Sequence, residues 1–173
     1  MEETMKDKVN LLHFLLILAF SLIGALGQSN LYAENLNSTQ KHRELLVEEY
    51  NRTPNEYEPN IKLGYLYLVT GKYENSLFHY RLALKARSGD YSAMLGIGDA
   101  YSFLGKYRKS IKIYSYLRKV HSEKMWAYLH LGRLYLYLKD YSRALSVISE
   151  GILNCQNQDE LIRLQVYINK VQN

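Results

Sequence analysis

The fold is decided by a pattern that first occurs in residues 60–67, which read NIKLGYLY. The pattern returns at residues 94–101 as MLGIGDAY and at residues 128–135 as YLHLGRLY. A glycine, and a tyrosine three residues after it, therefore recur every 34 residues without a gap. Self-similarity at a period of this length is typical of stacked helical units, because one unit cannot bury its apolar face alone.

Each copy continues in the same order. A second tyrosine follows in Gly-Lys-Tyr at 71–73 and 105–107 and in Lys-Asp-Tyr at 139–141. Behind it lie first a small residue (Ser76, Ser110, Ala144) and then a large one (Tyr80, Tyr114, Ile148). Glycine inside a helix costs roughly 1 kcal/mol relative to alanine. The recurring Gly64 therefore predicts a close approach of the neighbouring helix, with the small residues as the matching surface. The glycine that opens the turn predicts a left-handed backbone.

This pattern of Leu-Gly-x-x-Tyr, a turn tyrosine and a small residue on the next helix resembles the tetratricopeptide repeat (TPR) family. The resemblance runs from residue 57 to about residue 156. It implies an all-α fold, a right-handed α-solenoid of antiparallel helix pairs. The expected TPR-like domain (39–173) consists of units 57–90, 91–124 and 125–158 between capping helices 39–53 and 159–172.

The N-terminal residues have a different composition. Residues 11–26 carry no charge and are almost entirely apolar. A stretch of this length is shorter than the ~20 residues of a membrane span, but it matches the apolar region of a signal peptide. We predict a signal peptide or membrane anchor at 1–27 and a linker at 28–38, and a buried helix of the domain is the third alternative. The first two place the protein outside the cytoplasm, periplasmic or anchored in the inner membrane and facing the periplasm.

Composition excludes several classes of protein. Aliphatic and aromatic residues make up 47% of the chain, which is enough for a packed core. A single cysteine cannot form an internal disulfide, and no Cys/His set has the spacing of a structural zinc site. The net charge is +5, spread along the chain. We therefore expect neither a disulfide scaffold nor a metal-dependent one, and no cofactor.

Candidate catalytic residues are few. Cys155 has no neighbour in sequence that would lower the pKa of its thiol. The glycines in Gly96-Ile97-Gly98 lack the strand and the third glycine of a dinucleotide-binding loop. An enzyme on this scaffold would have only Asp99, His130 and Arg133 to work with. We therefore predict a protein that is not an enzyme.

The resemblance also implies a binding site, because the first helices of such units line a concave surface. Exposed aromatic residues with one or two charges are typical of peptide-binding surfaces. We predict a partner-binding groove for a protein or peptide, unless these side chains pack beneath the terminal helices. The predicted groove residues are Lys62, Tyr65, Asp99, Phe103, Trp126, His130, Arg133 and Tyr137.

The second helix of the middle unit is strongly basic. Residues 106–119 contain six Lys or Arg and no Asp or Glu. The resemblance places this helix on the convex side, where charges are commonly just solvated. The alternative function is a membrane-tethered complex subunit that uses this helix to bind an acidic partner or anionic lipid. Nucleic acid is not an expected partner of an exported protein.

Overall fold

Helices joined by short turns account for nearly all of the residues described by the computed structural model, which are residue 38 and residues 40–172. The elements are α1 (40–52), α2 (Tyr57–Val69), α3 (Tyr73–Ala86), α4 (Tyr91–Phe103), α5 (Tyr107–Val120), α6 (Met125–Tyr137), α7 (Tyr141–Asn154) and α8 (Asp159–Gln172). No strand occurs in these ranges, so the predicted all-α class is confirmed. The chain divides into two units, residues 1–45 and 46–173, and the helix pairs belong to the second.

Most of the N-terminal predictions concern residues that the structure does not describe. The signal or anchor segment 1–27 lies outside the described residues, as does the predicted linker except for Ser38, which is already helical. Within the described part, none of the helices combines the length and the apolar character that crossing a bilayer requires.

The helices form pairs that stack in a row. α2 packs on α3, α4 on α5 and α6 on α7, and because turns of a few residues join the partners, each pair is antiparallel. The second helix of each pair packs on the next first helix, as α3 does on α4. The first helices α2, α4, α6 and α8 are also in contact, each with the next. The result is the predicted α-solenoid, in which α8 packs on α7 and α6.

The turns inside the pairs have a left-handed residue, as the sequence predicts. Gly71 and Gly105 have φ angles of 75° and 70°, and Lys139 takes the same place in the third pair with a φ of 59°. A side chain makes this conformation unfavourable, so the third turn is strained. Asp140 follows and caps α7 by accepting a hydrogen bond of 3.1 Å from the backbone N–H of Arg143.

Tyr57 and Tyr91, each at the start of a unit, form hydrogen bonds that connect their unit to the next. The Tyr57 hydroxyl donates to Asp90 Oδ1 (3.1 Å), and Asp90 caps α4 by accepting from the Ala93 N–H (2.8 Å). The Tyr91 hydroxyl accepts directly from the Ala127 N–H at the start of α6 (3.0 Å). The otherwise unpaired N–H groups at a helix start are thus satisfied by the preceding unit.

The repeated glycines do mark close helix approaches, but the facing residues differ from the prediction. A Cβ atom on Gly64 would lie 2.6 Å from the ring of Tyr80, not against a small residue. The same holds for Gly98 against Tyr114 and Gly132 against Ile148, each at 2.5 Å. Ser76 lies nearby and donates a hydrogen bond of 2.8 Å to the Gly64 carbonyl. The large residue is the one that needs the glycine, since its side chain occupies the space of the missing Cβ.

A polar pair is buried in the first unit. Asn60 is fully buried and donates to the carbonyls of Pro54 (2.8 Å) and Glu56 (2.7 Å). Its Oδ1 lies 3.1 Å from Nδ1 of His79, which stacks on Tyr67. Burial lowers the pKa of His79, because the charged imidazolium would lose its hydration.

Candidate functional site

Two adjoining cavities run along the first helices. The first, of about 870 Å³, lies between α2, α4 and α6, and the second, of about 440 Å³, lies mainly between α4 and α6. We call the surface of the two cavities the groove. Every predicted site residue lines it: Lys62, Tyr65 and Trp126 the first cavity, Phe103, Arg133 and Tyr137 the second, and Asp99 and His130 both. The structure therefore brings the predicted set together.

The groove aromatics are open to solvent. Tyr65, Phe103, Trp126 and Tyr137 are between 47% and 69% exposed. They therefore do not pack beneath other described helices, which was the alternative that the sequence left open. Contiguous exposed aromatic surface in a concave site is typical of a binding surface.

Two tyrosines of the turns support the exposed aromatics, and sequence reasoning did not assign them to the site. The ring of Tyr73 stacks on Phe103 with centroids 5.0 Å apart and planes 9° from parallel. In the next unit Tyr107 packs against Tyr137 at 5.6 Å, with the two hydroxyls 3.3 Å apart. The two residues of each pair are equally far apart in the sequence, and this spacing could have revealed both contacts. Such contacts hold exposed rings in place before a partner arrives.

Tyr80 reaches the groove floor from the second row of helices. Its ring lies between Gly64 of α2 and Gly96 of α4, and a Cβ atom on either glycine would collide with it. Because neither glycine has a side chain, Tyr80 extends between the two first helices and lines the first cavity. Burial is the main cause of the raised pKa of its phenol. Sequence reasoning missed this residue, although Gly96 is a glycine that the repeat itself does not require.

A hydrogen-bond network occupies the wall shared by the two cavities. Tyr114 donates to Asp99 Oδ1 at 2.5 Å, and His130 contacts the same oxygen through Nδ1. Nδ1 must carry a proton to donate to a carboxylate, so neutral His130 keeps a lone pair on Nε2 as a hydrogen-bond acceptor, and protonated His130 gains a donor there. Burial, followed by the charge of Asp99, raises the pKa of Tyr114, which therefore remains a donor.

The cations of the groove have partners on its walls. Lys62 Nζ lies 3.3 Å from Glu49, and Arg133 lies 4.0 Å from Glu160. Lys124 Nζ lies 4.4 Å above the ring of Tyr91, and burial raises the pKa of that tyrosine to about 12. These charges are exposed pairs that contribute little to stability. The distinctive features of the groove are therefore the aromatic residues and the Asp99–His130 pair.

Cys155, the candidate nucleophile of the sequence, does not line the groove. Cys155 is buried with its sulfur 3.6 Å from the Ser122 carbonyl, and burial raises the pKa of its thiol, which disfavours the reactive thiolate. Across residue 38 and residues 40–172, no three His, Cys, Asp or Glu side chains are grouped so that they could hold a metal ion.

The basic helix α5 presents a second exposed surface. Lys106 pairs with Glu74 at 2.8 Å and Arg118 pairs with Glu150. Four other cations have no acidic partner within 4.0 Å among the described residues. They share one third of the helix circumference with the exposed Tyr116 and Val120. We call this surface the basic stripe: Arg108, Lys109, Lys112, Tyr116, Lys119 and Val120.

Comparison with known proteins agrees with this architecture. The family model of the tetratricopeptide repeat matches residues 57–90 and 91–115. No curated protein shows significant sequence similarity to the chain.

Solved structures show the same fold. A tetratricopeptide repeat protein from Parabacteroides merdae is 21% identical with a TM-score of 0.69, over 80% of this chain and 54% of that one. A thermophilic TPR protein of Thermus thermophilus is 14% identical with a TM-score of 0.65, over 83% of this chain and 78% of the other. MamA from Desulfovibrio magneticus is 21% identical with a TM-score of 0.62, over 76% and 70%. The chain spans about half the length of the Parabacteroides protein.

The family match covers the first unit and most of the second, and the third unit repeats their helix pairing and their glycine contact. Residues 57–115 therefore contain tetratricopeptide repeats.

Proposed function

We propose that the chain is a non-catalytic scaffold that binds a peptide segment or a partner subunit in the groove. One observation carries the proposal: four exposed aromatic residues line two adjoining cavities along three consecutive first helices. The family supports it at a coarser level, because tetratricopeptide repeat proteins are protein-interaction scaffolds and are typically not enzymes.

Binding would come mainly from burial of the aromatic rings. Each ring buries a large area, and the contacts of Tyr73 with Phe103 and of Tyr107 with Tyr137 reduce the freedom lost on binding. The Asp99–His130 pair supplies directional hydrogen bonds that would fix the register of the bound segment. With an exported chain, the partner would be met outside the cytoplasm, in the periplasm or at the outer face of the inner membrane.

The test is partner capture by cross-linked affinity purification and mass spectrometry. Changing both Tyr65→Ala and Trp126→Ala should abolish recovery of the partner, because truncation of central aromatic anchors typically costs about 2 kcal/mol or more each. The control changes Phe78→Ala and Leu153→Ala, two exposed apolar residues on second helices outside both candidate surfaces, and should keep the partner. Circular dichroism should be the same in all forms. Equal capture by wild type and the Tyr65/Trp126 variant would refute the groove.

The basic stripe favours a second candidate function, a membrane-tethered subunit whose α5 contacts anionic lipid or an acidic partner. Its cations are unpaired in the described part of the chain, and Tyr116 and Val120 lie among them. Interleaved cations and apolar side chains suit a membrane surface. Vesicles containing phosphatidylglycerol should bind the chain at low salt and release it at high salt. Lys109→Glu with Lys112→Glu should abolish this binding, and Lys85→Glu on α3 should not.

A further inference from the structure

The Tyr80 side chain is almost fully buried, but its hydroxyl has no hydrogen-bond partner among the described residues. The residue is 4% exposed and lines the first cavity. A Cβ atom on Gly96 would lie 2.3 Å from Cζ, the ring carbon that carries the hydroxyl. The oxygen is still open to the cavity, because the side-chain atoms of the described part that are both sealed and unpartnered belong to other residues. Tyr80 therefore presents an unused donor at the floor of the first cavity.

The corresponding tyrosine of the next unit shows what this donor does when an acceptor is at hand. Tyr114 lies 34 residues after Tyr80 and donates to Asp99 Oδ1 at 2.5 Å. In the first unit the place of Asp99 is taken by Tyr65, which is 63% exposed. An occupant that covered the Tyr80 hydroxyl without accepting its hydrogen would bind more weakly, because a buried donor would stay unpaired. A fitting occupant therefore brings an acceptor.

The charge that acts on the hydroxyl favours a neutral acceptor. Asp99 is the acidic residue that lines the first cavity in the described part of the chain. Burial, followed by the charge of Asp99, raises the pKa of Tyr80, so the two groups lie within electrostatic reach of each other. His130 contacts Asp99 and, while neutral, leaves that charge in place. A second carboxylate at the Tyr80 hydroxyl would be repelled, whereas a carbonyl oxygen would not.

The two cations of the first cavity have partners of their own. Lys62 lies 3.3 Å from Glu49, and Lys124 lies 4.4 Å above the ring of Tyr91. Both side chains are exposed, and neither is among the groups that shift the pKa of Tyr80. They therefore do not offset the repulsion of a carboxylate by Asp99 at the floor of the cavity.

We propose that the first cavity binds a peptide segment in an extended conformation, with an apolar side chain among the aromatic rings and a backbone carbonyl that accepts a hydrogen bond from the Tyr80 hydroxyl. The carbonyls of a helix already accept from its own N–H groups, whereas those of an extended segment are free. A volume of about 870 Å³ is ample for one large side chain and its backbone. The proposal rests on the proposed function of the groove and specifies its occupant.

Titration calorimetry with the full-length chain tests the hydrogen bond. The probe is the tightest binder from a random peptide library, synthesised with both ends blocked so that it has no terminal charge. Tyr80→Phe should raise its Kd about two- to tenfold, which corresponds to one neutral hydrogen bond. Tyr167→Phe removes the hydroxyl of an exposed tyrosine outside the groove and should leave the Kd unchanged. Equal or tighter binding by Tyr80→Phe would overturn the proposal.

Ester substitution in the peptide identifies the acceptor. Each backbone amide is replaced in turn by an ester, whose carbonyl is a weaker acceptor. At one position the ester should weaken binding to the wild type several-fold and binding to Tyr80→Phe less, because that variant has already lost the hydrogen bond. If no position shows this difference, a backbone carbonyl is not the acceptor and the proposal fails.

The variant with both Tyr65→Ala and Trp126→Ala separates this proposal from that of the groove. A peptide that this variant no longer binds, but that Tyr80→Phe binds as tightly as the wild type does, would remove the hydrogen bond and leave the groove as a binding site. A library without binders, or a peptide that the Tyr65/Trp126 variant binds with the wild-type Kd, would remove both.

Discussion

The junction between the first and second units differs from that between the second and third at two positions of the first helices, where Gly96 corresponds to His130 and Tyr65 corresponds to Asp99. At the first junction, Tyr80 lies between Gly64 and Gly96 and extends to the groove floor. At the second, Tyr114 covers Gly98, but the place of Gly96 is taken by His130.

These two differences change the chemistry of the groove. Without a side chain at residue 96, Tyr80 extends to the cavity, and no described residue hydrogen-bonds to its hydroxyl. With an imidazole at residue 130, Tyr114 stays almost fully buried and donates to Asp99, which His130 also contacts. These two repeat positions together thus produce an aromatic floor at one junction and a polar network at the next.

The largest effect on stability should come from adding a side chain at residue 96, in the first junction. Gly96→Val puts a branched side chain into the ring of Tyr80 and should lower the free energy of unfolding by about 3 kcal/mol, the upper part of the range for overpacking. In a Tyr80→Ala background the same change should cost less than about 1 kcal/mol, because the colliding ring is gone. Urea unfolding of the four proteins measures the coupling, and additive effects would contradict the steric explanation.

The next largest difference between the two junctions should come from the hydroxyl groups of Tyr114 and Tyr80. Tyr114→Phe removes a donor to the carboxylate of Asp99 and should cost about 1.5 kcal/mol or more. Tyr80→Phe is the matched control and should stay within about 0.5 kcal/mol, because its hydroxyl faces the cavity. Equal losses in chemical unfolding would show that the network does not distinguish the junctions.

The turns that lead into the second helices offer a smaller change. Lys139→Gly gives the third turn a glycine, which the first two turns already have as Gly71 and Gly105. The change removes the strain of a side chain at a φ of 59°. The unfolding free energy should rise by about 0.5–1 kcal/mol. Lys139→Ala keeps the strain and should give no such gain in thermal or urea unfolding.

The smallest expected effect is a pH dependence that distinguishes the buried His79 of the first unit from His130. Burial holds the pKa of His79 below its ordinary 6.5, the value in the unfolded chain. The unfolded chain therefore binds a proton more readily, and stability that is complete above pH 6.5 is lost as the pH falls through the folded pKa. His79→Gln should reduce the change of the urea midpoint with pH between about pH 7.5 and about pH 5.5. His130→Gln with the same flattening would assign the effect to the groove instead.

Much of the groove could be predicted because it depends on positions in a repeat. The first helix of each unit presents the same positions to the concave surface, so Tyr65, Phe103 and Trp126 could be placed by counting. Tyr80 and Tyr73 could not, because they come from second helices and turns. Their contribution depends on which neighbouring helix leaves space, and a pattern within one helix does not record that.

The sequence by itself determined the 34-residue period and the left-handed turns, because these follow from local periodicity and backbone sterics. The tertiary structure alone decided that Tyr80 lines the groove and that Tyr114 and His130 share one oxygen of Asp99. Each of these depends on the distance between helices that are far apart in the chain. Packing sets that distance, and the spacing of residues along one helix does not.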